Sequence, residues 1–433
     1  MPEKIISLGN GAQELFIGCD KFNTTLVSFN FYLPLDREKT AEFALLPFIL
    51  TSCGKNYPDF SKLNFSLAKL YGANLFSSAE KVGDYSLLKM GISVINDRFA
   101  LDGEAITESA VNLLLDLIFN PKAENGCFAE EDLEREKRKA CEHIKSEMGE
   151  KRTYARTRLI EEAFDDDLYG TPKCGTVEQV MRITGESLYK SWQTMLSRAF
   201  LRVNVISREE PHGLAERIET ALSYIDRKDV TDCSKSLPSR RRMQAKRVTE
   251  RMNVAQGKLC LGLTTAVPPT KEDSAALSVF CDLFGGGPYS RLFTNVREKM
   301  SLCYYCAAAL IKPKGFIMVD SGIEPQNAQK AETEILRQLE IMGRGEFTDG
   351  EFESSVKGIT DSLKTYRDSQ SALDAWYSIR IYEDKLCTPE ETAELIKGVK
   401  KESIARIARN TTLNTVYALL PEKAADADGE KEV

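Results

Sequence analysis

Apolar and polar positions alternate along the chain in short patterns that recur in each half. In the first of these patterns Val27, Phe29 and Phe31 alternate with other residues, which predicts a strand. The predicted elements then follow in one order in both halves: a strand (24–33 and 258–266), a helix (40–52 and 274–284), a Gly turn, and a second helix (60–71 and 290–299). Because strands and helices are mixed without strict alternation, we expect an α+β fold.

The later parts of the two halves also match. Phe128 opens a long charged helix, and Phe347 opens another 219 residues later; the Glu186-Ser187 pair recurs as Glu402-Ser403 after 216 residues. Two copies of about half the chain indicate two homologous domains rather than three. We predict an N-terminal domain 1–232, a basic linker 233–247, a C-terminal domain 248–422 and a disordered tail 423–433. Each domain should be a mainly antiparallel sheet with helices on one face.

Composition excludes several classes of partner. The chain has 433 residues, of which 42% are hydrophobic and 28% charged, with a formal net charge of −7. A mildly acidic chain is a poor candidate for binding nucleic acid or an anionic membrane. It shows no secretory signal pattern and no apolar run near the ~18 residues of a spanning helix. Eleven scattered cysteines suit a reducing compartment, so we expect a cytoplasmic protein.

Three local features have ordinary structural interpretations. The five cationic residues within 236–247 favour a solvated linker, although such a run could also bind an acidic partner. Cys303 and Cys306 lie three positions apart on a predicted strand, where side chains point to opposite faces. That favours two packed thiols over a metal site or a redox pair. The run Gly285-Gly-Gly-Pro288 follows a helix and lacks the Gly-Lys-Ser/Thr ending of a phosphate loop.

The run 290–305 resembles the C-terminal-half motif of the insulinase/pitrilysin family of zinc peptidases. It contains Ser-Arg-Leu at 290–292, Arg-Glu-Lys at 297–299 and Leu-x-Tyr at 302–304. The segments Tyr169-Gly-Thr-Pro172 and Gly175-Thr-Val-Glu178 also resemble the family. The resemblance spans nearly the whole chain, because members of the family are built from two tandem α+β halves.

The first half lacks the residues that bind zinc in active members. Those members carry His-x-x-Glu-His on the first helix, where two His on one face bind zinc and the Glu activates the metal-bound water. Alignment on Gly54 places Leu45, Phe48 and Ile49 at these positions. A shift of one residue places Ala44, Pro47 and Phe48 there instead. We therefore predict no catalytic residue and no metal ligand in this chain.

The two histidines do not restore a metal site in the sequence. No histidine precedes His143, and the other is His212. Glu142 lies near the position of the family's third ligand, but a single carboxylate cannot hold zinc. Its neighbour His143 does not share its helix face. We predict His143 on a helix surface and His212 in a loop.

The resemblance assigns a substrate-binding role to the C-terminal motif. In the family, its Arg and Tyr face the zinc from the opposite half and hold the substrate backbone; the matching residues here are Arg297 and Tyr304. Arg offers a fixed fork of donors, and a Tyr hydroxyl can donate to a carbonyl oxygen as charge develops. The alternative is that Arg297 makes a surface ion pair and Tyr304 packs in the sheet.

Half-size members of the family resemble one half of a clam-like chamber and work as dimers. In the heterodimers one subunit carries zinc and the other has lost it. The resemblance thus implies a catalytically silent subunit of a bacterial heterodimeric zinc metallopeptidase. The chain would bind no cofactor itself, pair with an active zinc-bearing paralogue and enclose a peptide substrate. The alternatives are a non-proteolytic peptide-binding or scaffold protein, and an independent hydrolase with an unfamiliar site.

Overall fold

A computed structural model describes residues 3–234, 236–265, 271–383 and 386–422, so the predicted tail 423–433 lies outside the described residues. The strands are β1 (Glu3–Ser7), β2 (Ala12–Gly18), β3 (Thr24–Pro34), β4 (Asn74–Val82), β5 (Tyr85–Ile95), β6 (Ala123–Glu124), β7 (Cys127–Phe128), β8 (Phe200–Ser207), β9 (Lys246–Met252), β10 (Gly257–Thr264), β11 (Cys303–Ile311), β12 (Phe316–Ile323) and β13 (Thr412–Pro421). The helices are α1 (Thr40–Leu50), α2 (Phe60–Lys69), α3 (Ile106–Phe119), α4 (Glu130–Gly149), α5 (Lys151–Ala163), α6 (Val177–Arg182), α7 (Gly185–Arg198), α8 (Leu214–Ser223), α9 (Lys271–Gly285), α10 (Ala328–Gly343), α11 (Asp349–Thr365), α12 (Gln370–Ser378), α13 (Pro389–Lys397) and α14 (Lys401–Asn410).

The chain forms two compact units, each assembled from three segments. The first unit contains Met1–Ser146, Thr171–Ser236 and Lys364–Pro389; the second contains Glu147–Gly170, Leu237–Leu363 and Glu390–Val433. Helix α5 of the first half of the sequence therefore belongs to the second unit, and α12 of the second half belongs to the first. The predicted domain boundaries at residues 232 and 248 divide the two sequence repeats, whereas the compact units are discontinuous in sequence. These boundaries therefore stay a prediction.

Each unit contains one large sheet, and the two sheets share a topology. The first sheet has the order β1-β2-β8-β3-β5-β4, and the second has the order β11-β12-β10-β13-β9. Neighbouring strands are antiparallel except for β2 with β8 and β9 with β13. Reading the first order backwards matches β4-β5-β3-β8-β2 to the second sheet, with β1 as an added edge strand. The predicted α+β fold with two tandem, mainly antiparallel sheets is confirmed.

The helical layer of the first unit covers one face of its sheet. Val27, Phe29 and Phe31 of β3 point into a core that also contains Leu45 of α1 and Leu114 of α3, as the alternating pattern predicts. Helix α1 is apolar almost all round and is buried along nearly its whole length. The strongest sequence signal therefore corresponds to the most buried layer of the unit.

The opposite face of the first sheet is polar and carries α12, which contacts β3 and β8. Asp374 of α12 accepts hydrogen bonds from the Ser28 hydroxyl at 2.5 Å and from Asn204 Nδ2 at 2.8 Å. It also pairs with the Lys89 ammonium; the two side chains are only 3% and 10% exposed. A buried carboxylate is stable only when paired and hydrogen-bonded in this way. The predicted one-sided helical layer is therefore supplemented by one helix on the second face.

Helix α5 has the equivalent position in the second unit, where it contacts β10 and β13. In the same unit, the ammonium of the fully buried Lys314 lies 3.3 Å from an Asp167 carboxylate oxygen. The Lys314 ammonium also lies 5.3 Å from the Tyr169 ring centroid and 5.9 Å from that of Phe164. Tyr169, from the segment that resembles the family, therefore has a structural role, because its ring lies against the buried Lys314 ammonium.

The basic run after residue 236 forms ion pairs with carboxylates of the second unit. Lys246 pairs with Asp165 at 2.6 Å and with Glu162 at 2.7 Å, and Arg242 also pairs with Asp165. The hydrogen bond from Lys246, followed by that from Arg242, lowers the pKa of Asp165 to about 2. The run is largely exposed, as expected for a solvated linker, but these carboxylates already neutralise part of its charge.

Candidate functional site

The start of the run 290–305 is anchored in the core of the second unit by three residues, Ser290, Arg291 and Leu292. Ser290 and Leu292 are fully buried. The Arg291 side chain is only 11% exposed. Its Nε and Nη2 donate to Gln338 Oε1 at 2.9 and 2.8 Å, and its Nη1 donates to Glu351 Oε1 at 3.1 Å. A planar guanidinium can hold several fixed acceptors at once, so this arginine positions the segment that follows.

The glycine turn before the motif permits close packing. A Cβ atom at Gly285 would lie 2.6 Å from the backbone nitrogen of Ala308 in β11 and 2.7 Å from its Cβ. Gly286 N donates to the Asp282 carbonyl at 2.7 Å, so this amide is already satisfied within the chain. The run therefore brings α9 against β11 instead of forming a phosphate loop.

Arg297 lies near the end of a π-helical turn, Leu292–Lys299, which replaces the regular helix predicted over 290–299. Its side chain is 39% exposed, and its Nε lies 3.6 Å from Glu298 Oε1, too far for a hydrogen bond. The guanidinium carbon lies 4.5 Å from the Phe293 ring centroid. Arg297 thus makes a long surface ion pair with Glu298, as the alternative expected. Among the described residues we find no acceptor within hydrogen-bond distance of this guanidinium, so its donors remain available to a ligand.

Tyr304 follows the same turn and is 55% exposed. The turn is closed by hydrogen bonds from Ser301 N to the Arg297 carbonyl and from Leu302 N to the Val296 carbonyl, each 3.1 Å long. The Tyr304 hydroxyl donates to the Glu324 carboxylate. That hydrogen bond is the main cause that raises the pKa of Tyr304. The two predicted substrate contacts therefore lie at the start of the segment that these two hydrogen bonds close and just after its end. The alternative of a tyrosine packed in the sheet does not describe the exposed Tyr304.

The exposure of Tyr304 results from a β-bulge. Along β11 and β12, Cys303 pairs with Ile323 and Tyr305 pairs with Gly322, so Tyr304 is an extra residue without a cross-strand partner. Cys306 then pairs with Ser321. Ile323 and Ser321 share a face of β12, and therefore Cys303 and Cys306 share a face of β11. The prediction that these thiols point to opposite faces is wrong, because regular alternation was assumed across a bulge.

The first helix does not fit a zinc ion. In one alignment the motif positions fall on Leu45 and Ile49, which are 2% and 1% exposed, and on Phe48, which is 42% exposed. In the other they include Ala44 and the intrahelical Pro47. All of these side chains end in carbon and offer no lone pair to a metal. Across the described segments, no group of three or more His, Cys, Asp or Glu residues could hold a metal ion.

Glu142 and the two histidines lie on the surface of the first unit. Glu142 and His143 are exposed on α4, and His212 is exposed in the turn before α8. The predictions of a helix-surface His143 and a loop His212 are confirmed. In the parts of the chain that the structure describes, no helix is long and apolar enough to cross a membrane.

Comparisons with known proteins agree with this geometry. Residues 182–359 match the family model described as the peptidase M16 inactive domain. The probable inactive metalloprotease YmfF of Bacillus subtilis is 29% identical over 400 residues, which cover 92% of this chain and 93% of the relative. The uncharacterized zinc protease YmxG of the same organism is 23% identical over 256 residues, 59% of this chain and 60% of the relative.

The fold matches a solved structure at full length. The crystal structure of a conserved protein from Enterococcus faecalis V583 superimposes with a TM-score of 0.91 and 27% sequence identity, covering 98% of this chain and 100% of that chain. The chain is therefore similar to the peptidase M16 family, whose inactive-domain model matches residues 182–359. The predicted resemblance to the insulinase/pitrilysin family is confirmed.

Sequence reasoning missed the roles of two residues that position this site. It did not assign Arg291, whose guanidinium holds the π-helical turn to Gln338 and Glu351. It also missed Glu324, which follows β12 and accepts the hydrogen bond of the Tyr304 hydroxyl. The adjacency of Ser290 and Leu292 to Arg291 was an available signal for a buried anchor. No sequence signal indicated Glu324, because the contact depends on strand pairing.

Proposed function

We propose that this chain is the catalytically silent subunit of a cytoplasmic heterodimeric zinc metallopeptidase. In this assembly it encloses a peptide together with a zinc-bearing paralogue and supplies Arg297 and Tyr304 to the substrate. The observation that carries the proposal is a contrast between the two halves. The C-terminal motif keeps an exposed Arg297 and an exposed Tyr304 hydroxyl, whereas the first-helix positions contain only carbon side chains.

Two relatives support the pairing. YmfF is named a probable inactive metalloprotease and YmxG a zinc protease, and both come from one strain of Bacillus subtilis. A heterodimer of this type requires a cell that makes both a silent and a metal-binding paralogue. The similarity of our chain to YmfF is the more extensive of the two.

The two side chains have distinct roles in the proposal. Arg297 donates to backbone carbonyls of the extended peptide through its planar fork. Tyr304 donates to the scissile carbonyl oxygen as negative charge accumulates on it. The substrate oxygen must displace the Glu324 carboxylate from the Tyr304 hydroxyl, so binding and exchange of this hydrogen bond are coupled.

The test is reconstitution with a zinc-motif paralogue from the same cell and a quenched fluorescent peptide library. We expect no cleavage by either the purified chain or the chain with zinc added, and cleavage by the mixed pair. Loss of one transition-state donor lowers kcat by about 100–1000-fold in comparable sites, so Tyr304→Phe should lower turnover on that scale. Arg297→Ala should lower turnover of subsaturating peptide, because it weakens binding of the peptide backbone. Lys299→Ala is the matched control, because it removes an exposed cation from the same turn. Tyr304→Phe, with Tyr305→Phe as its control, tests the hydroxyl alone.

The outcomes separate the alternatives. If a stable pair forms and binds peptide without cleaving it, the scaffold function replaces ours. If the isolated chain digests the library, it is an independent hydrolase. If Arg297→Ala and Lys299→Ala pairs turn over equally fast, the contribution of Arg297 is refuted even though the heterodimer stands.

A further inference from the structure

We propose that Cys303 and Cys306 form a redox-active thiol pair, which a hydroperoxide converts into an intramolecular disulfide beside Tyr304. The bulge at Tyr304 is the geometric basis. Without it, the two cysteines would lie on opposite faces of β11; with it, they lie on one face, as the pairing of Cys303 with Ile323 and of Cys306 with Ser321 requires.

The two thiols interact through a hydrogen bond. The Cys306 thiol hydrogen-bonds to the Cys303 sulfur, which places the atoms that would form the bond next to each other. Both residues are buried, with 8% and 5% of their surface exposed. Because both thiols are buried, the oxidant must be small.

The surroundings assign different roles to the two thiols. The hydrogen bond from Cys306 is the largest cause that lowers the pKa of Cys303, and the Arg297 charge lowers it further. The same hydrogen bond, together with burial, raises the pKa of Cys306 well above its ordinary value. Because the thiolate is the nucleophile, Cys303 attacks the oxidant and Cys306 resolves the product.

The reaction balances with one hydroperoxide for each disulfide. With hydrogen peroxide, the Cys303 thiolate attacks one peroxide oxygen and the O–O bond breaks, which leaves a sulfenic acid and, after protonation, one water; an organic hydroperoxide releases its alcohol instead. The Cys306 sulfur then attacks the Cys303 sulfur. The S–S bond forms, the S–O bond breaks, and the leaving hydroxide takes the Cys306 proton to become a second water. The two thiols lose two electrons and two protons in total.

The disulfide would close a ring around the bulge. Tyr304 and Tyr305 lie between the two cysteines, so the bond restricts the backbone that carries the Tyr304 hydroxyl. The consequence for substrate binding rests on the proposed function. The thiol chemistry does not, and it can be tested on the isolated chain.

The experiment treats the purified, reduced chain with hydrogen peroxide, blocks remaining thiols with N-ethylmaleimide and analyses tryptic peptides by mass spectrometry. Residues 300–314 form one peptide, since Pro313 protects Lys312, and Cys303 and Cys306 are the cysteines within it. We expect this peptide to lose two hydrogen atoms and to escape alkylation, and dithiothreitol to restore both thiols. The exposed Cys127 reports that oxidant was present.

Variants separate the roles. Cys306→Ser should leave a sulfenic acid on Cys303 that dimedone traps, whereas Cys303→Ser should leave Cys306 unoxidised. Cys141→Ser, which removes a buried thiol of the first unit, should leave disulfide formation unchanged. Two alkylated thiols in peptide 300–314 after Cys127 has been oxidised would overturn the proposal. So would bonds of Cys303 to other cysteines, or oxidation of the pair to sulfonic acids without a disulfide stage.

Discussion

Glu14 of β2 is expected to make the first unit less stable as the pH rises. It shares a strand face with the core residues Ala12 and Phe16 and is only 1% exposed. Within the described chain, neither of its carboxylate oxygens has a hydrogen-bond partner. Burial is the main cause that raises the pKa of Glu14 to about 7; Glu210 adds to the rise and Lys4 opposes it.

The sign and the size follow from linkage. The pKa of Glu14 rises from 4.5 in the unfolded chain to about 7 in the folded one, so the folded state binds the proton more tightly. Stability from this group is complete below the unfolded pKa and is lost as the pH rises through the folded one. At 1.36 kcal/mol per pKa unit the loss is about 3 kcal/mol by pH 8, most of it between roughly pH 5 and 7.

The assay is urea unfolding of wild type and Glu14→Gln between pH 4 and 8, followed by tryptophan fluorescence. Both tryptophans, Trp192 and Trp376, belong to the first unit, so the signal reports the unit that contains Glu14. We expect equal stabilities near pH 4 and a variant more stable by about 3 kcal/mol at pH 8. The exposed Glu219→Gln on α8 should show no such trend. A difference between Glu14→Gln and wild type that is constant with pH would refute the reasoning.

Three further outcomes are expected. Lys89→Met should lower the free energy of unfolding by about 3–5 kcal/mol, because it leaves the buried Asp374 carboxylate without its cation. Adding Asp374→Asn should recover part of that loss. Strictly additive unfolding free energies, measured by fluorescence, would contradict the pairing. Arg291→Lys should destabilise the second unit by about 2 kcal/mol, since an ammonium cannot bind Gln338 and Glu351 at the same time. Calorimetry measures this loss, with the exposed Arg337→Lys variant as the control. Equal melting temperatures of the two variants would contradict the prediction. Glu324→Gln should lower the pKa of Tyr304 towards its usual value in NMR titrations of carbon-13-labelled tyrosine, and an unchanged value would show that Glu324 does not control this hydroxyl.

Local patterns predicted the elements well where one face is buried. The strand expected over 24–33 is Thr24–Pro34, and the strand expected from residue 258 is Gly257–Thr264. In the first of these strands Val27, Phe29 and Phe31 alternate with other residues, and all three belong to the core of the first unit. The absence of a zinc-binding motif on α1 was equally certain, since no rearrangement of the chain creates a histidine before His143.

Features that break regular spacing were not predictable. The bulge at Tyr304 reverses the faces of all later residues of β11 and brings Cys303 and Cys306 together. The sequence gives no marker for it, because the extra residue is defined by its missing partner on β12. The same holds for the acceptor of the Tyr304 hydroxyl, Glu324, which lies twenty positions away.

The residues alone determined the two repeats, the α+β class, the missing metal ligands and the motif that contains Arg297 and Tyr304, because each follows from composition, short-range spacing or residue identity. Only the tertiary structure decided that α5 and α12 pack in the unit of the opposite half and that Lys89 meets Asp374. It alone decided that two thiols share one face. The Lys89–Asp374 pair joins residues 285 positions apart, and the energy of burying each charge depends on the other. The shared face of the two thiols depends on pairing with β12, 15 to 20 positions away. Neither distance can be read from short-range spacing.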